Sequence, residues 1–257
     1  MTTRPAVLTP AYRPTVLDRA LSVRIAIDWE WGVYFVIFAA AIALRFWGLG
    51  DRALHHDESI HAQWSWSLLQ GAYHHSPIFH GPLYYHAEAL VFLIFGANDY
   101  TARVSAAIFG SALVALPLLM RKRLTPLGTA AAMAFIAFSP TIVYYSRFFR
   151  EDIYLAFFTL LTVAGMWRYL DEGRNRWLFV TAAGWVGSVL TKEGAFITVG
   201  LFLLYLDLYL ATELATKTLT ARGLNSASRR LALVPGLALV AWAFAALWPF
   251  IGPIKRR

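Results

Sequence analysis

His55-His56-Asp57-Glu58-Ser59 stands in a polar segment, residues 49–99, between two strongly apolar runs. All 7 histidines of the chain lie between His55 and His86. Ionisable side chains gathered beside apolar runs of membrane-spanning length mark chemistry more often than packing. This polar interruption therefore sets the reading: spans on either side, and a chemically active loop held against a bilayer surface.

Working outward, residues 31–48 form a first span, apolar until Arg45, whose side chain can snorkel to the headgroups as an interface anchor. Before it, residues 1–30 carry Arg4, Arg13, Arg19 and Arg24 and read as a cytoplasmic tail. Within the loop, Ile60, Trp64 and Leu68 repeat at helical spacing, so a helix is expected over 57–70, ended by Gly71. With Trp66 and Leu69 it suits a helix lying on the membrane, both indoles at headgroup depth. Asp57 and His61 fall one turn apart on it. Residues 82–95 form a second helix, short for a span and suited to a re-entrant or juxtamembrane position.

Residues 100–120 make a further span that ends at Arg121-Lys122-Arg123, the strongest inside signal in the chain. Residues 127–145 return outward, 147–152 form a charged outer turn, and 153–170 go back in towards Arg174 and Arg176. As one helix, 177–210 would run about 51 Å at 1.5 Å per residue, well beyond a hydrocarbon core of about 30 Å. Two short spans are expected instead, with Lys192-Glu193 at the outer turn. A last span over 231–250 leaves Lys255-Arg256-Arg257 outside, against the positive-inside rule, so the chain is expected to end early within a longer architecture. The whole is then an all-α polytopic membrane protein of about seven spans, with a cytoplasmic N-terminus and a short tail, 252–257.

Composition agrees. The chain has 257 residues, 58% apolar, with 10 Trp, 12 Tyr and 18 Phe, against about 45–50% apolar in a soluble domain. The absence of cysteine excludes disulfides, thiolate metal sites and a cysteine nucleophile. The formal charge of +8 is dispersed in short clusters between apolar runs, as in loops that orient spans, and nucleic acid is not an expected partner. The leader is too long and polar for a signal peptide; a signal anchor fits better.

This topology brings three charged clusters to one face: His55-His56-Asp57-Glu58, Arg150-Glu151-Asp152 and Lys192-Glu193. Each alone has a plain alternative. Asp57 and Glu58 can cap a surface helix, Arg150-Glu151-Asp152 can be a solvated turn, and Lys192-Glu193 can be an interface pair. No His-Glu-x-x-His and no Gly-rich phosphate loop occurs. A phosphate-bearing substrate would have to be gripped by side chains such as Arg147, Arg150 and Lys192.

The run Leu44-Arg45-Phe46 through Gly50-Asp51-Arg52, then His55-His56-Asp57-Glu58-Ser59-Ile60-His61-Ala62, resembles the opening of the flippase-activity-associated glycosyltransferase-like family. That family belongs to the protein O-mannosyltransferase and aminoarabinose transferase superfamily, with the GT-C fold. The likeness continues through His80-Gly81-Pro82-Leu83, Phe95-Gly96, Tyr144-Tyr145-Ser146-Arg147-Phe148, Asp152-Ile153-Tyr154 and Leu190-Thr191-Lys192-Glu193. The resemblance implies an integral membrane transferase, in the plasma membrane with its active face outside. Its donor would be a sugar on a polyprenyl phosphate or pyrophosphate, and its acceptor a protein, glycan or lipid. Asp57 matches the catalytic position and Asp152 the second acidic motif, and Glu58, beside the first, is a candidate catalytic residue with them. Arg147, Arg150, Lys192, Glu193 and His80 are the candidate substrate-binding residues. Some members bind a divalent metal, for which His55 and His56 are the candidate ligands. Glu151 departs from the pattern and is expected to matter less than Asp152. Two rivals remain: a transporter or flippase component, and a non-catalytic fragment of such a transferase.

Overall fold

A computed structural model of the chain describes residues 29–74 and 80–221. Of the expected tail over 1–30 only Trp29 and Glu30 are described, at the start of a helix, and the last span over 231–250 lies outside those residues. Among the described residues the secondary structure is helical, with no strand.

Helix α1, Trp29–Phe46, leads to the loop helix α2, His56–Leu69. Its start is a capping box: His55 Nδ1 accepts from the Asp57 N–H at 3.2 Å, and Glu58 Oε2 accepts from the His55 N–H at 2.9 Å. Gly71, at φ +68, ends it as expected, a conformation that favours glycine. Helix α3, Leu83–Phe95, stops at Gly96 (φ +78). A 3-10 turn, Thr101–Arg103, then enters α4, Val104–Ala115, and a second one, Leu116–Met120, leaves it. Next come α5, Arg121–Phe138, and the short α6, Pro140–Ser146. The last three are α7, Glu151–Glu172, α8, Arg176–Thr191, and α9, Ala195–Ala221. The break between α8 and α9 falls at Lys192-Glu193-Gly194, so the two-helix reading of 177–210 holds.

Among the described residues four stretches are long and apolar enough to cross a membrane: Trp29–Phe46, Thr101–Phe138, Glu151–Glu172 and Ala195–Glu213. The 38-residue stretch Thr101–Phe138 reverses on itself at Thr125, which has φ +64 and precedes Pro126. The contacts show the reversal. The Tyr34 hydroxyl donates to the Pro126 carbonyl at 3.0 Å, and Arg45 donates to the Ile136 carbonyl at 3.1 Å, so α5 runs parallel to α1. Leu49 packs with Val104 and Ala107 while Tyr34 packs with Val114, so α4 runs antiparallel to both.

Helix α7 spans roughly 33 Å at 1.5 Å per residue. At its far end Arg123 meets Asp171 at 2.8 Å and Lys122 meets Glu172 at 3.2 Å. At its near end Glu151 meets Lys192 at 2.9 Å. The basic clusters 121–123 and 174–176 therefore lie at the end opposite the histidine-rich loop. Phe35, Leu93, Phe135, Phe179 and Ile197 are each more than 60% exposed, which suits an apolar surround rather than water.

Two expectations are corrected here. Arg45 does not snorkel: it is fully buried and donates to the Ala41, Ile136 and Ala137 carbonyls. The last carbonyls of α5 lack helical partners, and a buried guanidinium supplies them. Nor do both loop indoles sit at a headgroup surface. Trp64 turns into the main core against Tyr73 (ring centroids 5.5 Å apart), and only Trp66 stays exposed.

Candidate active site

A buried ion pair fixes the loop. Glu58, fully buried, accepts from Arg103 Nε at 2.7 Å and from Arg103 NH2 at 2.8 Å. It also accepts from the Phe149 N–H at 3.1 Å. Arg103 spends its remaining hydrogens on the Leu49, Arg52 and Ala53 carbonyls. Burial pushes the Glu58 carboxyl up, but the Arg103 pair and the His55 and Phe149 amides outweigh it and hold it below the usual range. Glu58 therefore joins the start of α2, the entry to α4 and the turn before α7, and no surface remains on it to meet a substrate.

Asp57, the next residue, faces the other way and is 40% exposed, with Arg150 NH1 at 3.5 Å from its Oδ2. Arg150 lies between three carboxylates, with Glu151 at 3.6 Å and Asp152 at 3.7 Å. Lys192 closes the group: its Nζ donates to Glu151 Oε1 at 2.9 Å and to Asp152 Oδ1 at 3.2 Å. Partial burial pulls the lysine down, but Glu151 and Asp152 hold it above its ordinary value, so it stays charged.

His80 ties in the end of the first loop. Its Nε2 lies 3.3 Å from Glu151 Oε1 and its Nδ1 3.0 Å from Glu193 Oε1. The residue is held at φ +69, a sparsely populated region for any side chain but glycine, costing about 1–3 kcal/mol. The following Gly81 shows what holds it there. Its N–H donates to the Thr191 carbonyl at 3.1 Å, and a Cβ at Gly81 would collide with the Leu190 carbonyl. The His80-Gly81-Pro82 run is thus a backbone dock onto the Lys192-Glu193 turn.

The three clusters foreseen from topology do meet. Asp57, Arg150, Glu151, Asp152, Lys192, His80 and Glu193 join in one chain of ion pairs and hydrogen bonds, with Glu151 linking His80 to Lys192. Arg147 does not face them: its guanidinium donates to the Leu44, Arg45, Trp47 and Gly48 carbonyls, capping the end of α1. The solvated-turn alternative fails at Glu151. It is fully buried at the centre of the group, where Lys192, His80 and Arg150 surround it.

Sequence reasoning missed Arg103, whose sole signal was a lone cation opening an apolar span. It also missed the trio under the cluster: His61 Nδ1 lies 2.9 Å from the Tyr85 hydroxyl and 3.2 Å from that of Tyr84. Burial depresses the His61 imidazole, which stays neutral.

His55 Nδ1 is taken as the cap of α2, with the ring 5.5 Å from that of Phe148. Among the described residues no three His, Asp or Glu side chains converge as a ligand set. What remains is a partly exposed carboxylate, Asp57, beside Arg150, which shares the Glu151 and Asp152 carboxylates with Lys192.

A sequence model of the family described as dolichyl-phosphate-mannose-protein mannosyltransferase matches residues 79–248. The matched stretch takes in His80, Arg103, Arg150, Glu151, Asp152, Lys192 and Glu193, and starts after Asp57. No curated protein matches the chain.

Proposed function

The chain belongs to the dolichyl-phosphate-mannose-protein mannosyltransferase family, and from that premise we propose that it transfers a sugar from a polyprenyl-linked phosphate or pyrophosphate to an acceptor hydroxyl. The reaction takes place at the non-cytoplasmic membrane face, to which the positive-inside rule assigns the end opposite Arg121-Lys122-Arg123. One observation carries the reading: Asp57, which the sequence resemblance aligns with a catalytic acid, lies 3.5 Å from Arg150, which with Lys192 is anchored on Glu151 and Asp152.

In this reaction the acceptor oxygen attacks the anomeric carbon as the bond to the carrier phosphate breaks. Asp57 takes the acceptor proton, for which it must lie within about 3 Å of that hydroxyl. The electron pair of the broken bond leaves on the phosphate, and Arg150 and Lys192 stabilise the charge that develops there. Asp152 and the buried Glu151 hold those cations in place, so that little reorganisation accompanies the step.

The test is transfer by the full chain in lipid nanodiscs, with a panel of polyprenyl-phosphate sugars as donors. The side-chain cap of α2 is His55, not Asp57, so Asp57→Asn removes the proton acceptor and leaves the cap in place. General-base loss typically lowers rate by about 10²–10⁴, and that fall is expected with unchanged membrane insertion. Wild-type turnover in Asp57→Asn would remove Asp57 from the mechanism.

A further inference from the structure

The side of α2 turned away from Asp57 carries a second surface. Ser59, Gln63, Trp66 and Ser67 follow one another at helical spacing, about half a turn round from Asp57 and His61. Two depressions open along this side and share Gln63 as a common wall. One, of about 310 Å³, lies between α2 and the 97–99 turn and is edged by Ser59, Trp66, Asn98 and Asp99. The other, of about 190 Å³, continues past Trp64, Ser67, Tyr73 and His74.

We propose that this strip is a binding site for a neutral oligosaccharide, and that the acceptor of the transfer reaction is therefore a glycan rather than a bare polypeptide. The second half of that statement rests on the transferase reading above; the binding site does not. A pyranose presents an apolar C–H face and a rim of hydroxyls, so it needs aromatic surface flanked by planar or hydroxylic hydrogen-bonding groups. The strip supplies both. Trp66 is 41% exposed on its floor of Ala62, Phe92 and Ala102, and the Trp64 and Tyr73 rings stand edge to face at 5.5 Å in the second depression. Asn98 Oδ1 accepts from the Tyr100 and Thr101 amides at 2.9 Å, which fixes the amide plane and leaves its NH2 to donate. Asp99 adds an exposed carboxylate able to take two neighbouring hydroxyls. No Lys or Arg lines either depression, so a phosphate headgroup finds no counter-charge there, in contrast to the Arg150-Lys192 cluster on the other side of the helix. Across α2 the two surfaces are separated by roughly the 10 Å width of a helix, close enough for one glycan to thread from strip to site.

Binding is read by isothermal titration of the full chain in nanodiscs with neutral tetrasaccharides built from glucose, mannose or galactose. Wild type is expected to bind one of them. Trp66→Ala is expected to weaken binding at least tenfold. Trp66→Phe, which keeps an aromatic face, should retain most of the affinity and checks that the fold survives. In transfer, Trp66→Ala should raise KM for an oligosaccharide acceptor and leave kcat unchanged. The proposal is overturned by any of three results. One is no tetrasaccharide binding by the wild type, and another is equal binding by Trp66→Ala. The third is binding of a Ser/Thr-rich peptide in place of the sugars. A chain that binds the sugars but transfers nothing would refute the transferase reading and leave the strip standing.

Discussion

Glu58→Gln changes one atom type at the most enclosed point of the loop, and the structure sets the size of its effect. The carboxylate accepts four hydrogen bonds, two from Arg103 at 2.7 and 2.8 Å and one each from the His55 and Phe149 amides. Both partners of the pair are at most 1% exposed. Glutamine fills the same space but turns one NH2 towards the guanidinium, leaving a buried cation without a counter-charge. Breaking a buried pair in this way costs about 3–5 kcal/mol, and in a chain of this size each kcal/mol shifts Tm by about 2–4 °C. Tm, followed by tryptophan fluorescence in detergent, should therefore fall by about 6–20 °C. The pH profile gives an independent reading. The folded Glu58 titrates below its unfolded value of about 4.3. Its contribution is thus complete above that pH and is lost as pH falls through the folded value. Wild type should lose stability below about pH 4, and the variant should lack that component. Replacing both partners by methionine should recover much of the loss, since an apolar pair of similar volume often substitutes for a buried ion pair without penalty. A Glu58→Gln protein melting within about 2 °C of wild type would refute the account of the loop.

The buried position of Glu151 predicts that Glu151→Gln impairs transfer at least as much as Asp152→Asn, because Lys192, His80 and Arg150 all depend on it; donor KM and kcat measured for both variants decide this. For topology, cysteine at His74 should react with an impermeant maleimide in intact cells and cysteine at Arg174 only after permeabilisation. The reverse pattern would place the site on the cytoplasmic face and exclude an outward-facing transferase.

The helix breaks were legible because each has a local cause: glycine at 71 and 96, a charged Lys192-Glu193-Gly194 turn, and a basic cluster before the Thr125 reversal. The meeting of three charged turns followed from those breaks. What stayed hidden was which of two adjacent acids is buried. Asp57 and Glu58 differ by one residue, and so do Glu151 and Asp152, but a helix turns each by about 100°, and the buried one is chosen by Arg103 or Lys192 from more than 40 residues away. Arg147 was misread for a related reason. A guanidinium beside a membrane serves a phosphate or a helix end equally well, and the free carbonyls of α1 are visible only once the helix is placed.

The dock at His80 and Gly81 also sets an order of assembly. Glu58 and Arg103 are 45 residues apart, whereas His80 must wait for Glu193, 113 residues later. At about 5–20 residues per second of synthesis, the 89 residues from Arg103 to Lys192 leave the nascent chain with a capped, ion-paired loop for about 4–18 s before Lys192 can emerge. During that interval Asp57 is exposed but faces no completed cation pair, so a partly inserted chain should be chemically silent. A ribosome-stalled intermediate ending before Gly184 would contain the first two turns and lack the third.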